Sequence, residues 1–170
     1  MARPAVWLRV GLALYLAVAA LVGVWAALWP RGFYDDFPWP GHPWVAALPA
    51  YNEHLIRDFG GMNLAMAVVF GVAAVTLDRR LTTTALVAYL VFAVPHLVFH
   101  LNHLEPFSTA DAAAQAGTLM VTALLPLPLL TLARRTTAPR TDAGCHAAVA
   151  DSTLSLPWNG SSKRTGTPGS

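Results

Sequence analysis

Four stretches of the chain run apolar for about twenty residues each, and charge fences every one of them. Val10 to Trp29 has no charged residue and follows Arg3 and Arg9. Phe59 to Leu77 is likewise uncharged and stops at Asp78-Arg79-Arg80. Leu81 to Leu101 and Ala112 to Ala133 repeat the pattern, the last closed by Arg134-Arg135. Twenty helical residues rise about 30 Å, one hydrocarbon thickness. The pattern therefore predicts an all-α integral membrane protein, an up-down four-helix bundle with spans at about 10–29, 59–77, 81–101 and 112–133. A cleaved signal peptide competes for the first span, but its apolar run exceeds the usual 7–15 residues and closes on Trp29-Pro30-Arg31, which favours a retained helix. Trp25 and Trp29 suit an aromatic belt at its outer end.

Between the first two spans, residues 30–50 carry five prolines and the tryptophans Trp39 and Trp44. Such a segment cannot form a long helix, and its aromatics predict that it folds back over one end of the bundle. The next helix is expected to restart near Pro49. Ser108 followed by Asp111 resembles a capping box opening the fourth span. Beyond Arg135 the chain turns to Thr, Ser, Pro and Gly, and 136–170 reads as a disordered cytoplasmic tail.

Composition sharpens this picture. Of 170 residues, 55% are hydrophobic and 12% charged, about half the charge of a soluble domain. The net charge of +2 is spread over short basic clusters, which read as topology signals and not as a nucleic-acid surface. Arg3, Arg9, Arg79, Arg80, Arg134, Arg135 and Arg140 fall on one side, against Arg31 and Arg57 on the other. That asymmetry predicts a multi-pass protein of the cell membrane with both termini cytoplasmic. Cys145 is the single cysteine, so no intrachain disulfide forms.

Candidate chemistry gathers at the outer end. His96, His100 and His103 fall within about 60° on a helical wheel, one stripe of imidazoles. Glu53 with Arg57 and His54 with Asp58 are spaced i, i+4, where opposite charges meet. Asn63 stands four residues into the second span, and a buried amide needs interhelical partners. These groups are expected to converge, with Glu53, His54 or Asp58 within reach of His96 or His100. Two function classes stay open. In one, the cluster binds a small apolar ligand or quinone, or serves an accessory role beside a membrane protein partner, among membrane lipids. In the other, His96 and His100, with His103 or the carboxylates, hold zinc or iron in a metal-dependent or quinone-linked redox enzyme. The binding or accessory role ranks first, because the inner halves of the spans carry no polar series.

Four spans, a long first outer loop and short remaining connections resemble the small bacterial membrane proteins of the DoxX-like type over about residues 5–135. The Tyr51-Asn52-Glu53-His54, Arg57-Asp58 and Pro95-His96…His100 stretches look like motifs of an uncharacterised family. The resemblance is one of layout, and it implies a four-helix fold and makes a redox or quinone-related role conceivable.

Overall fold

The computed structural model describes residues 2–48 and 50–136. Pro49 and the polar tail with Arg140 and Cys145 lie outside the described residues. The elements are α1 (Ala2–Leu28), α2 (Pro30–Asp36), the strands β1 (Pro38–Trp39) and β2 (His42–Pro43), α3 (Glu53–Thr76), α4 (Arg79–Leu101), α5 (Thr109–Leu124) and α6 (Pro126–Thr136). Four helical stretches, the last formed by α5 and α6 together, are long and apolar enough to cross a membrane.

Each helix overruns its apolar window because the flanking charges are themselves helical. α3 begins at Glu53, where Asn52 accepts a hydrogen bond from the Leu55 amide. Asp78 caps α4 in the same way through the Leu81 amide. Ser108 caps α5, accepting from the Asp111 amide and donating its hydroxyl to the Asp111 carboxylate. Each cap satisfies a backbone donor that the first helical turn leaves open. The link from α3 to α4 is only Leu77-Asp78. Leu77 sits in the left-handed region at φ 51°, a cost offset by packing of its side chain against the core.

The fourth apolar stretch is not one helix. It breaks at Leu125, and Pro126 starts α6 at a first-turn position where its missing N–H is harmless. Pro95, by contrast, is carried inside a continuous α4. After the break α6 packs against both α1 and α4, whereas α5 lies mainly against α4.

α1 and α3 run antiparallel in the most extensive pairing of the fold. A Cβ at Gly60 would stand 2.5 Å from the Ala27 nitrogen, and one at Gly23 would stand 2.9 Å from the Leu64 nitrogen. The two backbones touch there, and only glycine fits. Both ends are pinned by arginine. Arg9 Nε donates to the Ala74 carbonyl at 2.9 Å, near the C-terminus of α3. Arg57 Nη1 reciprocates on the Ala27 carbonyl near the C-terminus of α1. A cation on the last carbonyls of a helix suits the negative end of its dipole.

The half of the bundle nearest Arg9 is solid. Leu8, Leu12, Tyr15, Phe70, Ala73, Leu86, Leu129 and Ala133 form a buried core. The other half carries the loop between α1 and α3, folded over the helix ends as a cap. Ala26, Phe33 and Ile56 bury its underside. Trp25 joins this packing, 5.8 Å from Phe33 and 6.0 Å from Phe37. Trp25 is therefore half-buried against the cap, while Trp29 remains 62% exposed. The cap folds as a short hairpin around Pro40-Gly41, where glycine supplies φ 87° after proline, the chemistry of a type II turn.

Gly60→Val should lower the stability of the folded bundle by about 1–3 kcal/mol, the range of overpacked sites. Gly61→Ala should be neutral or slightly stabilising, because no atom lies within 4 Å of its added Cβ. Thermal unfolding of both variants in detergent checks the pair.

Candidate functional site

Beneath the cap lies a cavity of about 490 Å³. Its floor includes Tyr89 and Thr122, backed by Tyr15, which is centred 5.0 Å from Phe70 and 4.6 Å from Tyr89. The Tyr15 hydroxyl donates to the Thr122 carbonyl at 2.6 Å, tying the floor to α5. Phe33, Phe37, Trp44 and Val45 of the cap form the roof, and Val18, Phe59 and Phe92 contribute to the apolar walls. Among the described residues, no Asp, Glu, Lys or Arg lines it.

The imidazole stripe divides at this cavity. His96 and His100 line it, with ring centroids 4.5 Å apart, and His96 stacks on Phe92 at 5.0 Å. His103 does not join them. Its ring stacks on Phe99 at 4.1 Å, its Nδ1–H donates to the Phe99 carbonyl at 2.7 Å, and it is exposed.

The acidic groups do not come to the histidines either. On α3, Asn52, Ile56, Phe59 and Asn63 share the face that lines the cavity. At 100° per residue, His54 and Asp58 fall on the opposite face, and Glu53 and Arg57 to one side. His54 Nε2 lies 3.2 Å from Asp58 Oδ2, with side chains 86% and 60% exposed. Glu53 pairs with Arg57 at 2.9 Å. The expected meeting of Glu53, His54 or Asp58 with the imidazoles is thus replaced by pairing inside one helix. Asn63 reaches the cavity wall, but its Nδ2 donates to the Phe59 carbonyl at 2.9 Å and not to a histidine.

The partner of His100 is Gln115, whose Oε1 lies 3.2 Å from His100 Nδ1. Gln115 is 2% exposed and was not anticipated from the sequence. The signal was available: it is the one amide in the apolar stretch Ala112 to Ala133. A buried amide left half-paired costs about 1–3 kcal/mol. One imidazole pair with one amide does not make a metal centre. Among the described residues no group of three or more His, Cys, Asp or Glu could hold an ion, so the expected zinc or iron shell around His96, His100 and His103 does not assemble.

A second polar group, also missed, fastens the roof. Asp111 Oδ1 accepts from His42 Nδ1 at 2.6 Å and from Trp44 Nε1 at 3.1 Å, while Oδ2 accepts from Ser108. The carboxylate that belongs to the start of α5 is therefore also the anchor of the cap. At the cap's edge Arg31 lies over the rings of Tyr51 and Tyr34 and pairs with Asp35. Reduced solvation, then the nearby Glu53 carboxylate, pushes the Tyr51 phenol pKa up.

Compared with known proteins, the chain stands apart: no family model, no curated protein and no solved structure matches it. The functional reading accordingly rests on the cavity.

Asp111→Ala should release His42 and Trp44. Amide hydrogen exchange across residues 38–48 should then rise several-fold while α1 and α3 keep their protection. Unchanged exchange in the cap would show that the carboxylate does not hold it.

Proposed function

We propose that this is an integral protein of the cell membrane that binds a lipid-like molecule with a small polar head, a quinone or comparable amphiphile, in the cavity beneath the cap. The single observation that carries the reading is the cavity's composition. About 490 Å³ of largely aromatic and aliphatic wall is interrupted by polar groups gathered at His96, His100 and Gln115. That volume and that pattern suit a site for an apolar ligand oriented by a few polar contacts.

The membrane reading is supported by the outer surface. Val6, Val10, Leu14, Val18, Leu21, Val24 and Leu28 form one exposed apolar stripe along α1. Trp7 near one end and Trp29 and Trp39 near the other are half-exposed or more, as aromatic residues are at bilayer interfaces. The arginine asymmetry favours both termini in the cytoplasm, with the cap and cavity outside. The resemblance in layout to DoxX-like proteins, if it holds, would fit a quinone-type ligand. A metal-dependent enzyme at His96 and His100 would need a third protein ligand, which the described residues do not bring to the pair.

Two experiments test the reading. Single cysteines introduced into a Cys145→Ser background at Trp39 and Arg80 should react with an impermeant reagent from outside and from inside the cell, respectively. The reverse pattern overturns the orientation. In lipid nanodiscs, a decyl-tailed benzoquinone should quench tryptophan fluorescence saturably. Gln115→Leu should weaken that binding by about tenfold, equivalent to roughly 1.4 kcal/mol. Linear quenching of equal slope in both proteins would remove the cavity as a binding site.

A further inference from the structure

The cavity is bounded by four helix–helix seams, and they are not equally closed. Between α1 and α3 the backbones touch at Gly23 and Gly60. Phe59 and Phe92 close the seam between α3 and α4, with ring centroids 6.5 Å apart. His100 and Gln115 bridge α4 and α5. Between α5 and α1 the only hydrogen bond or ring contact among the described residues is Tyr15 to Thr122, at the floor. Above it, Val18 and Val22 of α1 face Thr118 and Leu119 of α5 across the cavity. Val18 and Thr118 line the cavity and are exposed, as are Leu55, Phe92 and Phe99 on its other walls. But α1 and α5, unlike the other three helix pairs that bound the cavity, do not pack closely along their backbones. A cavity wall made of two helices that are joined only at the floor marks a side opening. The roof above it is fastened to α5 by Asp111.

The walls also specify the head group. With no Asp, Glu, Lys or Arg on the lining among the described residues, neither a phosphate nor an ammonium would find a permanent counter-charge, and an unpaired charge is costly in an apolar site. Hydrogen-bonding capacity, in contrast, is in surplus. Asn63 Nδ2 is committed to a carbonyl, which leaves Oδ1 as an acceptor. His96 makes no hydrogen bond among the described residues and retains one donor and one acceptor. Whichever way the Gln115 amide and the His100 tautomer are assigned, that pair leaves at least one donor and one acceptor unused.

We propose that the cavity holds an uncharged single-chain amphiphile, its polar head against His96, His100 and Gln115 and its chain leaving sideways between α1 and α5. This rests on the ligand-binding reading above and adds the charge of the head and the route of the chain. A ligand seated in this way is drawn from the bilayer, where Val18 lies mid-way along the apolar run of α1, and never has to lift the cap.

The test uses three probes with the same dodecyl chain: dodecan-1-ol, monododecyl phosphate and dodecyltrimethylammonium. Each is presented in nanodiscs to the full chain, and bound probe is counted by native mass spectrometry. The alcohol should be retained at one per protein and at least about tenfold more tightly than either charged probe. Thr118→Trp should weaken retention of the alcohol by a similar factor. Val121→Trp, on the same helix but off the lining, should leave it unchanged, which separates blockage from general damage. If a charged probe is retained as tightly as the alcohol, or if Thr118→Trp binds like wild type, the proposal is overturned while the cavity reading stands. If no probe and no benzoquinone is held saturably, both fall together.

Discussion

The backbone contact between α1 and α3 is the constraint on which the rest of the molecule depends. Two helices brought together at Gly23 and Gly60 leave no room for a side chain between them. That contact fixes the register in which Arg9 reaches the Ala74 carbonyl and Arg57 the Ala27 carbonyl. In the membrane proposed for this bundle the surroundings would be as apolar as the interior, and burial alone would drive little association. Close packing and hydrogen bonds to carbonyls then carry the specificity. α1 and α3 form a rigid pair, and the other helices are arranged against it.

From that pair the bundle divides into a packed half and a hollow half. Near Arg9, small and large side chains alternate: Ala73, Ala85 and Ala133 admit Leu12, Phe70 and Leu129. Toward the cap the packing stops at the Tyr15, Phe70 and Tyr89 layer. Past Pro126, α6 packs against α1 while α5 lies mainly against α4, so the α1–α5 seam is tied at one end only, by Tyr15 and Thr122.

Much of the fold was legible in the chain, and the reasons are specific. Apolar windows fenced by arginine give the long helices, since length and charge are one-dimensional properties. Ser108 and Asp111 announced a helix start through their spacing. The site was only half legible. His96 and His100 could be placed together because i, i+4 geometry is local. Gln115 stands out as the one amide of its apolar stretch, but its pairing with His100 could not be read, because it crosses a helix–helix interface whose rotation no periodicity reports. The charged groups misled for a related reason. Glu53, His54, Arg57 and Asp58 satisfy one another within α3, so they need nothing from α4. Of the neighbours Gly60 and Gly61, only the first meets another backbone, and adjacent positions in sequence give no means of choosing between them.

The reciprocal arginines also make the α1–α3 pair a ruler. From Arg9 to Ala27 along α1 is about 27 Å of helix, and from Arg57 to Ala74 along α3 about 26 Å. The two guanidinium groups therefore stand a fixed distance apart, close to one hydrocarbon thickness. Neither helix can slide to lengthen or shorten that distance without breaking a contact at each end. In the proposed bilayer setting, a membrane of unequal thickness would leave the adjustment to the lipid, which would thin or stretch around the pair. Such mismatch sorts proteins among membranes, and under the membrane reading proposed above two side chains would set the preferred thickness.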